Sequence, residues 1–202
     1  MSNFFDKYEL YTDCQSIYCY PDSLVLKNKL GITSYDKLRE AETDFVSARL
    51  FELELNPIQG ELDKKHLYEI HRYLFKDLYD FAGESRKEDI AKGQTRFCVW
   101  NYIEEQGQYI FDNIGKIDIT ENAGIGDKID FLAYVMSELN ILHPFREGNG
   151  RAIREFVREY ALKLNLKIGW NKVGKDRLLD AMVASVYDTT ELKECLKLIC
   201  SK

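Results

Sequence analysis

The chain has 202 residues, 45% of them hydrophobic, and its 28 Lys and Arg against 34 Asp and Glu leave a formal charge of −6. That length and apolar share suit one domain with a sizeable core and exclude a disordered chain. The acidic balance argues against nucleic acid or an anionic membrane as partner, and no apolar run reaches spanning length. The first ten residues mix charge with aromatics, unlike a secretory signal, so the expected location is cytoplasmic. Five cysteines (Cys14, Cys19, Cys98, Cys195, Cys200) are an odd set, expected reduced and mostly buried. The Cys14/Cys19 and Cys195/Cys200 spacings are too wide for a strong four-cysteine zinc site.

Residues 1–17 are polar and aromatic and read as an N-terminal tail, with one domain over 18–202. Tyr18-Cys19-Tyr20-Pro21-Asp22 predicts a turn, Asp22 or Ser23 then capping a short helix over Leu24–Lys29 that Gly31 ends. Ser34 suits the N-cap of a longer helix with Leu38, Ala41, Phe45, Ala48 and Leu50–Leu53 as its apolar face, broken at Asn56-Pro57. Asp63–Tyr79 is helical by period, with Leu67, Ile70, Leu74 and Leu78 in register. His71 within it reads as structural, since no glycine loop or carboxylate cluster adjoins it, and His66 carries no functional claim.

Around Gly93, the stretch Ile90–Trp100 alternates weakly and predicts a small β-hairpin. Tyr102–Ile117 predicts a helix with Ile103, Tyr109, Ile110 and Ile114 inward. After the loop Asn122–Gly126, Ile129, Leu132, Val135, Met136 and Leu139 mark one buried helical face, and Ala152, Ile153, Phe156, Val157, Tyr160, Ala161 and Leu164 mark a second. Leu166–Trp170 reads as extended or turn, with Trp170 in the core or beside a nucleobase. Asp176–Val186 and Thr190–Ile199 complete the helices. The fold class expected is all-α with one small hairpin.

Between the two central helices lies His143-Pro144-Phe145-Arg146-Glu147-Gly148-Asn149-Gly150-Arg151, then Ala152-Ile153-Arg154. Pro144 disfavours helix at His143, and the glycines free the backbone where the next helix begins. A helix N-terminus with Gly148 and Gly150 lets phosphate oxygens reach bare amides, and Arg151 and Arg154 add forked cations on nearly the same face. Glu147 is an oxygen ligand suited to a phosphate-bound Mg²⁺, and His143 titrates nearest neutrality, which suits a base.

His-x-Phe-x-Glu-Gly-Asn-Gly-Arg-x-x-Arg resembles the signature of Fic domains, helical proteins that mostly transfer AMP from ATP to a protein hydroxyl. Leu67–Phe75 and Asp80–Arg86 resemble the helix and aromatic-Ala-Gly turn that precede the Fic flap. The resemblance extends from about Tyr20 to Leu198. It implies His143 as the catalytic base, Gly148, Asn149, Gly150, Arg151 and Arg154 holding the ATP phosphates, and Glu147 holding Mg²⁺. By the same resemblance, Phe145 packs inward. Gly93, Gln94, Thr95, Arg96, Phe97 and Cys98 would form the flap, pairing with an extended target protein by β-augmentation.

Doc-type kinases carry Ala and Lys in place of Gly148 and Arg151, so the motif here favours AMP over γ-phosphate transfer. Two alternatives stand beside that: a phosphocholine-type donor, and a catalytically silent Fic scaffold that binds nucleotide or a partner. Many Fic enzymes are restrained by a Ser/Thr-x-x-x-Glu-Gly/Asn helix whose glutamate pairs with the residue equivalent to Arg154. Thr190–Glu194 is the one partial match, with Cys195 in place of Gly or Asn, and it reads better as core helix. The compact size and the start near Tyr18-Cys19-Tyr20-Pro21 resemble bacterial Fic toxins, which implies a small separate antitoxin supplying that helix.

Overall fold

Apolar repeats at helical spacing become seven helices among the residues that the computed structural model describes, namely 9–10, 15–93 and 95–201. They are α1 (Tyr35–Leu55), α2 (Lys64–Phe75), α3 (Ile103–Lys116), α4 (Ile125–Leu142), α5 (Asn149–Lys163), α6 (Lys175–Ala184) and α7 (Thr190–Ile199). Strands are short: β1 (Glu9–Leu10), β2 (Ile90–Lys92) and β3 (Thr95–Arg96) form one antiparallel sheet in that order, and β4 (Lys167–Ile168) pairs with β5 (Cys200–Ser201). The all-α class with a hairpin holds.

Helix α4 is the axis of the core. Ile129, Phe131, Leu132, Val135, Met136 and Leu139 are all buried on it, facing α5, α7 and α3. On α5, Ile153, Phe156 and Val157 are buried, and α2 packs against its other side with Leu67, Ile70 and Leu74. Each such side chain contributes about 1.5–3 kcal/mol by leaving water. The frame that carries residues 143–154 is therefore deeply buried.

Four local expectations are corrected. Leu24–Lys29 is not a helix: Asp22 takes φ +53, Tyr20 N–H bonds the Val25 carbonyl at 2.9 Å, and Cys19 bridges to Leu26. Asn28 closes the following turn by bonding the Ile32 amide and carbonyl, a local alternative to helix. Helix α1 buries Leu38, Val46 and Leu53, while Phe45, Ala48 and Phe51 are exposed. Its apolar residues lie on two sides, and the ion pairs of Glu42 with Arg151 and Arg49 with Asp77 fix which side turns inward. On α3, Tyr109 faces solvent and Phe111 is buried instead. Finally, α2 stops at Phe75, with Leu78 and Tyr79 buried in the turn beyond it.

Asp63 caps α2 through a 2.8 Å bond from the His66 amide. Trp170 sits half-buried in a 3-10 turn against the core edge. Cys19 and Cys195 are buried, Cys98 and Cys200 partly so, and Cys14 lies outside the described residues. Among the described residues, no helix is long and apolar enough to cross a membrane.

Candidate active site

Helix α4 ends at His143, which adopts a left-handed corner (φ +45°, ψ +60°) before Pro144. Its Nδ1 lies 2.9 Å from the Asn140 carbonyl oxygen. A carbonyl can only accept, so Nδ1 carries the proton and Nε2 carries the lone pair. Phe97, at the exit of the hairpin, stacks on the imidazole with ring centres 3.6 Å apart. Burial pushes the His143 pKa down to about 3; the Asn140 bond opposes this, while Arg86 and Lys92 reinforce it. The ring is neutral at physiological pH, the form a proton acceptor needs.

The loop from Pro144 to Gly148 is held by its own side chains. Asn149 is fully buried, its Oδ1 accepting from the Phe145 amide at 2.9 Å and its Nδ2 donating to the Phe145 carbonyl at 2.7 Å. This revises the expectation that the Asn149 amide faces the anion: the side chain closes the loop. Phe145 points inward and stacks on His71 at 3.7 Å. His71 Nδ1 accepts from the Gly83 amide at 2.8 Å, so its Nε2–H donates to the Glu147 carbonyl at 2.9 Å. Burial holds its pKa at about 3, and the structural reading of His71 stands.

Gly148 begins α5 with φ +78°, and a Cβ there would lie 2.1 Å from Phe75 Cζ. Only glycine fits. A Cβ on Gly150 would lie 3.3 Å from an Arg154 Nη, so the Arg154 guanidinium folds back over the helix start. Arg151 lies over the Phe75 ring at 4.8 Å and reaches Glu147 at 3.5 Å. Burial lowers the Arg154 pKa, and the charge of Arg151 lowers it further. Two guanidinium groups thus converge on the positive end of α5, an arrangement that an anion would relieve.

Glu147 accepts from the Gly148 amide at 2.9 Å, and burial, then Glu42, raises its pKa. One carboxylate beside an anion cradle is a donor set that suits Mg²⁺ when phosphate oxygens complete its shell. No cluster of three metal-ligating side chains occurs among the described residues.

The hairpin forms as expected, with Ala91 opposite Arg96, Lys92 opposite Thr95, and Gly93 at φ +57° in the turn. Gln94 lies outside the described residues. The outer side of β2 is taken by β1, Glu9 opposite Ala91 and Leu10 opposite Ile90, a pairing no local pattern foretold. Cys98 N–H bonds the Ile141 carbonyl at 3.0 Å, tying the hairpin to the end of α4.

Three residues central to the site were missed in the sequence. Arg86, 1% exposed, donates to the carbonyls of His143 (2.9 Å), Glu88 (2.8 Å) and Cys98, bracing loop and hairpin together. Glu88 pairs with Arg146 at 2.7 Å and accepts from Ser16. Glu42 reaches Arg151 from 109 residues away. Their only local signal is a charged residue in an otherwise ordinary pattern. Glu194 pairs with Lys197 at 2.7 Å on the exposed side of α7, which buries Leu192, Cys195, Leu196 and Ile199, as the core-helix reading expects. A cleft of about 810 Å³ opens between α2 and α3 beside Lys64 and Glu104; it is polar, open and includes none of residues 143–154.

The Fic/DOC family model matches residues 61–161. Over 179 residues the chain is 34% identical to "Protein adenylyltransferase VbhT" of Bartonella schoenbuchensis, covering 89% of this chain and 37% of that protein's length. It is 35% identical to "Probable protein adenylyltransferase Fic" of Salmonella typhimurium, with 77% of each chain covered. The structure of BepC from Bartonella tribocorum, solved with bound AMPPNP, superposes with a TM-score of 0.82 at 23% identity, covering 91% of this chain and 96% of that one. On the motif, the fold and these relatives, the chain belongs to the Fic/DOC family.

Proposed function

We propose that this protein is a protein adenylyltransferase, moving AMP from ATP to a Tyr, Thr or Ser hydroxyl of a target protein. The observation that carries the reading is the convergence of Arg151 and Arg154 on the glycine-opened start of α5, with a neutral imidazole one loop away. Several relatives bear the name protein adenylyltransferase, which supports the same activity.

ATP phosphates rest on the α5 amides over Gly148 and Gly150, whose missing side chains allow the approach. Arg151 and Arg154 neutralise the outer phosphates. Asn149 serves by holding the loop closed. Glu147 would hold Mg²⁺, which when bound neutralises phosphate charge and makes pyrophosphate a better leaving group. The target hydroxyl attacks the α-phosphorus while His143 Nε2 takes its proton; the new P–O bond forms as the bond to pyrophosphate breaks. Positioning and charge neutralisation supply most of the acceleration.

The catalytic domain is taken as residues 18–202, with 1–17 as a tail. The flap, Gly93 to Cys98, docks the target as an added strand; β2 already has a neighbour on each side, so the border strand is β3. The reading includes a cytoplasmic toxin with a small separate antitoxin supplying the inhibitory glutamate, since the one partial match, Thr190–Glu194, is followed by Cys195 and belongs to a core helix.

Incubation with α-labelled ATP, Mg²⁺ and a bacterial lysate is expected to label a protein, and His143→Ala to abolish the signal. Label from γ-labelled ATP alone would overturn the assignment. Nucleotide binding without any transfer would favour a silent scaffold.

A further inference from the structure

Helix α1 contributes one side chain to the phosphate cradle, and neither the motif nor the mechanism above assigns it a role. Glu42 Oε1 accepts from Arg151 Nη2 at 2.6 Å, and its second oxygen accepts from the Tyr79 hydroxyl. Glu42 is largely buried, with 13% of its side chain exposed. Tyr79 is 1% exposed, in the turn after α2. Beneath the Arg151 guanidinium lies Phe75, the same ring that leaves no room for a side chain at Gly148. So one face of Arg151 is floored by an aromatic ring, and one nitrogen is fixed between Glu42 and Glu147.

Resting on the nucleotide reading above, we propose that Glu42 is a positioning residue for ATP: it locks Arg151 in the phosphate-binding orientation. Glu42 at 2.6 Å and Glu147 at 3.5 Å set two carboxylates against a guanidinium that is three-quarters buried. A free arginine side chain samples many rotamers, an entropy that phosphate binding would otherwise have to overcome. Glu42 spends one donor of a five-donor fork. Among the described residues, no protein acceptor pairs with Nε or Nη1 of Arg151, and these remain for phosphate oxygens. Tyr79 in turn prevents Glu42 from following Arg151 if the latter moves.

The opposite role, a carboxylate competing with phosphate for Arg151, makes the opposite prediction, so one experiment separates them. Calorimetric titration of the full chain with ATP, ADP and adenosine, each with Mg²⁺, is carried out for the parent, Glu42→Gln, Glu42→Asp and Tyr79→Phe, alongside thermal melts. Glu42→Gln is expected to weaken ATP and ADP about tenfold, the lower end of what outer orienting partners contribute, with adenosine unchanged. Glu42→Asp recovers part of the loss, and Tyr79→Phe, which leaves Glu42 and Arg151 intact, loses less than Glu42→Gln. In labelling assays the loss falls on KM for ATP rather than on kcat.

Unchanged or tighter ATP binding in Glu42→Gln overturns the proposal, as does an equal loss for adenosine. A parent chain that binds no ATP at all would instead overturn the nucleotide reading, and this inference with it.

Discussion

Replacing Arg86 by Met keeps most of the side-chain volume and removes a buried cation whose three nitrogens each serve a different carbonyl: His143, Glu88 and Cys98. A buried acceptor left without its donor costs about 1–3 kcal/mol, and three give a gross loss of roughly 3–9 kcal/mol. Relaxation and entering water reduce this, and ~3–5 kcal/mol is the expected net for breaking a buried charged network. For a chain of this size each kcal/mol shifts Tm by about 2–4 °C, so the melt should drop by ~6–20 °C. The effect should also be local. Amides near Cys98 and the 143–148 loop should exchange faster with deuterium, and transfer should fall even at temperatures where the variant is folded. Arg86→Lys keeps the charge with a shorter reach in donors, and should lie between parent and Met. A Met variant melting within about 2 °C of the parent, with unaltered exchange at Cys98, would refute the bracing role.

Gly148→Ala should destabilise by ~2–5 kcal/mol, combining a left-handed alanine with displacement of Phe75, and should weaken ATP; thermal melts and titration check both. The pH dependence follows from two buried imidazoles with pKa values of about 3. Their folded pKa values lie below the unfolded one near 6.5, so the stability they confer is full above pH 6.5 and drains as pH falls toward 3. The slope reaches up to ~1.4 kcal/mol per pH unit for each ring. Denaturant melts between pH 7 and 4 test this. The rate of transfer should show no histidine titration between pH 5 and 8, and a step near pH 6.5 would contradict the depressed value at His143.

The central helices could be read directly because α2, α4 and α5 each repeat apolar residues at one helical period, and α7 matched at both ends. The 143–154 motif was equally legible, since its glycines, proline and charges act within a dozen residues. Helix α1 was misread because apolar residues occupy two of its sides, and two ion pairs with distant partners decide between them. Leu24–Lys29 failed for a local reason, the positive φ of Asp22, which six residues of helical pattern do not outweigh. Asn149 shows a subtler limit: its presence was legible, but not that its amide is consumed by Phe145. The Glu42–Arg151 pair, the Arg86 bonds to His143 and Cys98, and the β1–β2 pairing are contacts 12 to 109 residues apart, and nothing in a short window signals them.

The left-handed bend at His143 means that the main chain, as much as any rotamer, aims the imidazole. Anyone wanting an inert version for trapping a target should therefore choose the replacement by backbone taste. Asparagine tolerates that corner and keeps a polar head. Valine or threonine would resist it, and straightening there would drag Pro144 to Gly148 off their aromatic floor, leaving an empty cradle that reports on a collapsed loop and not on lost chemistry.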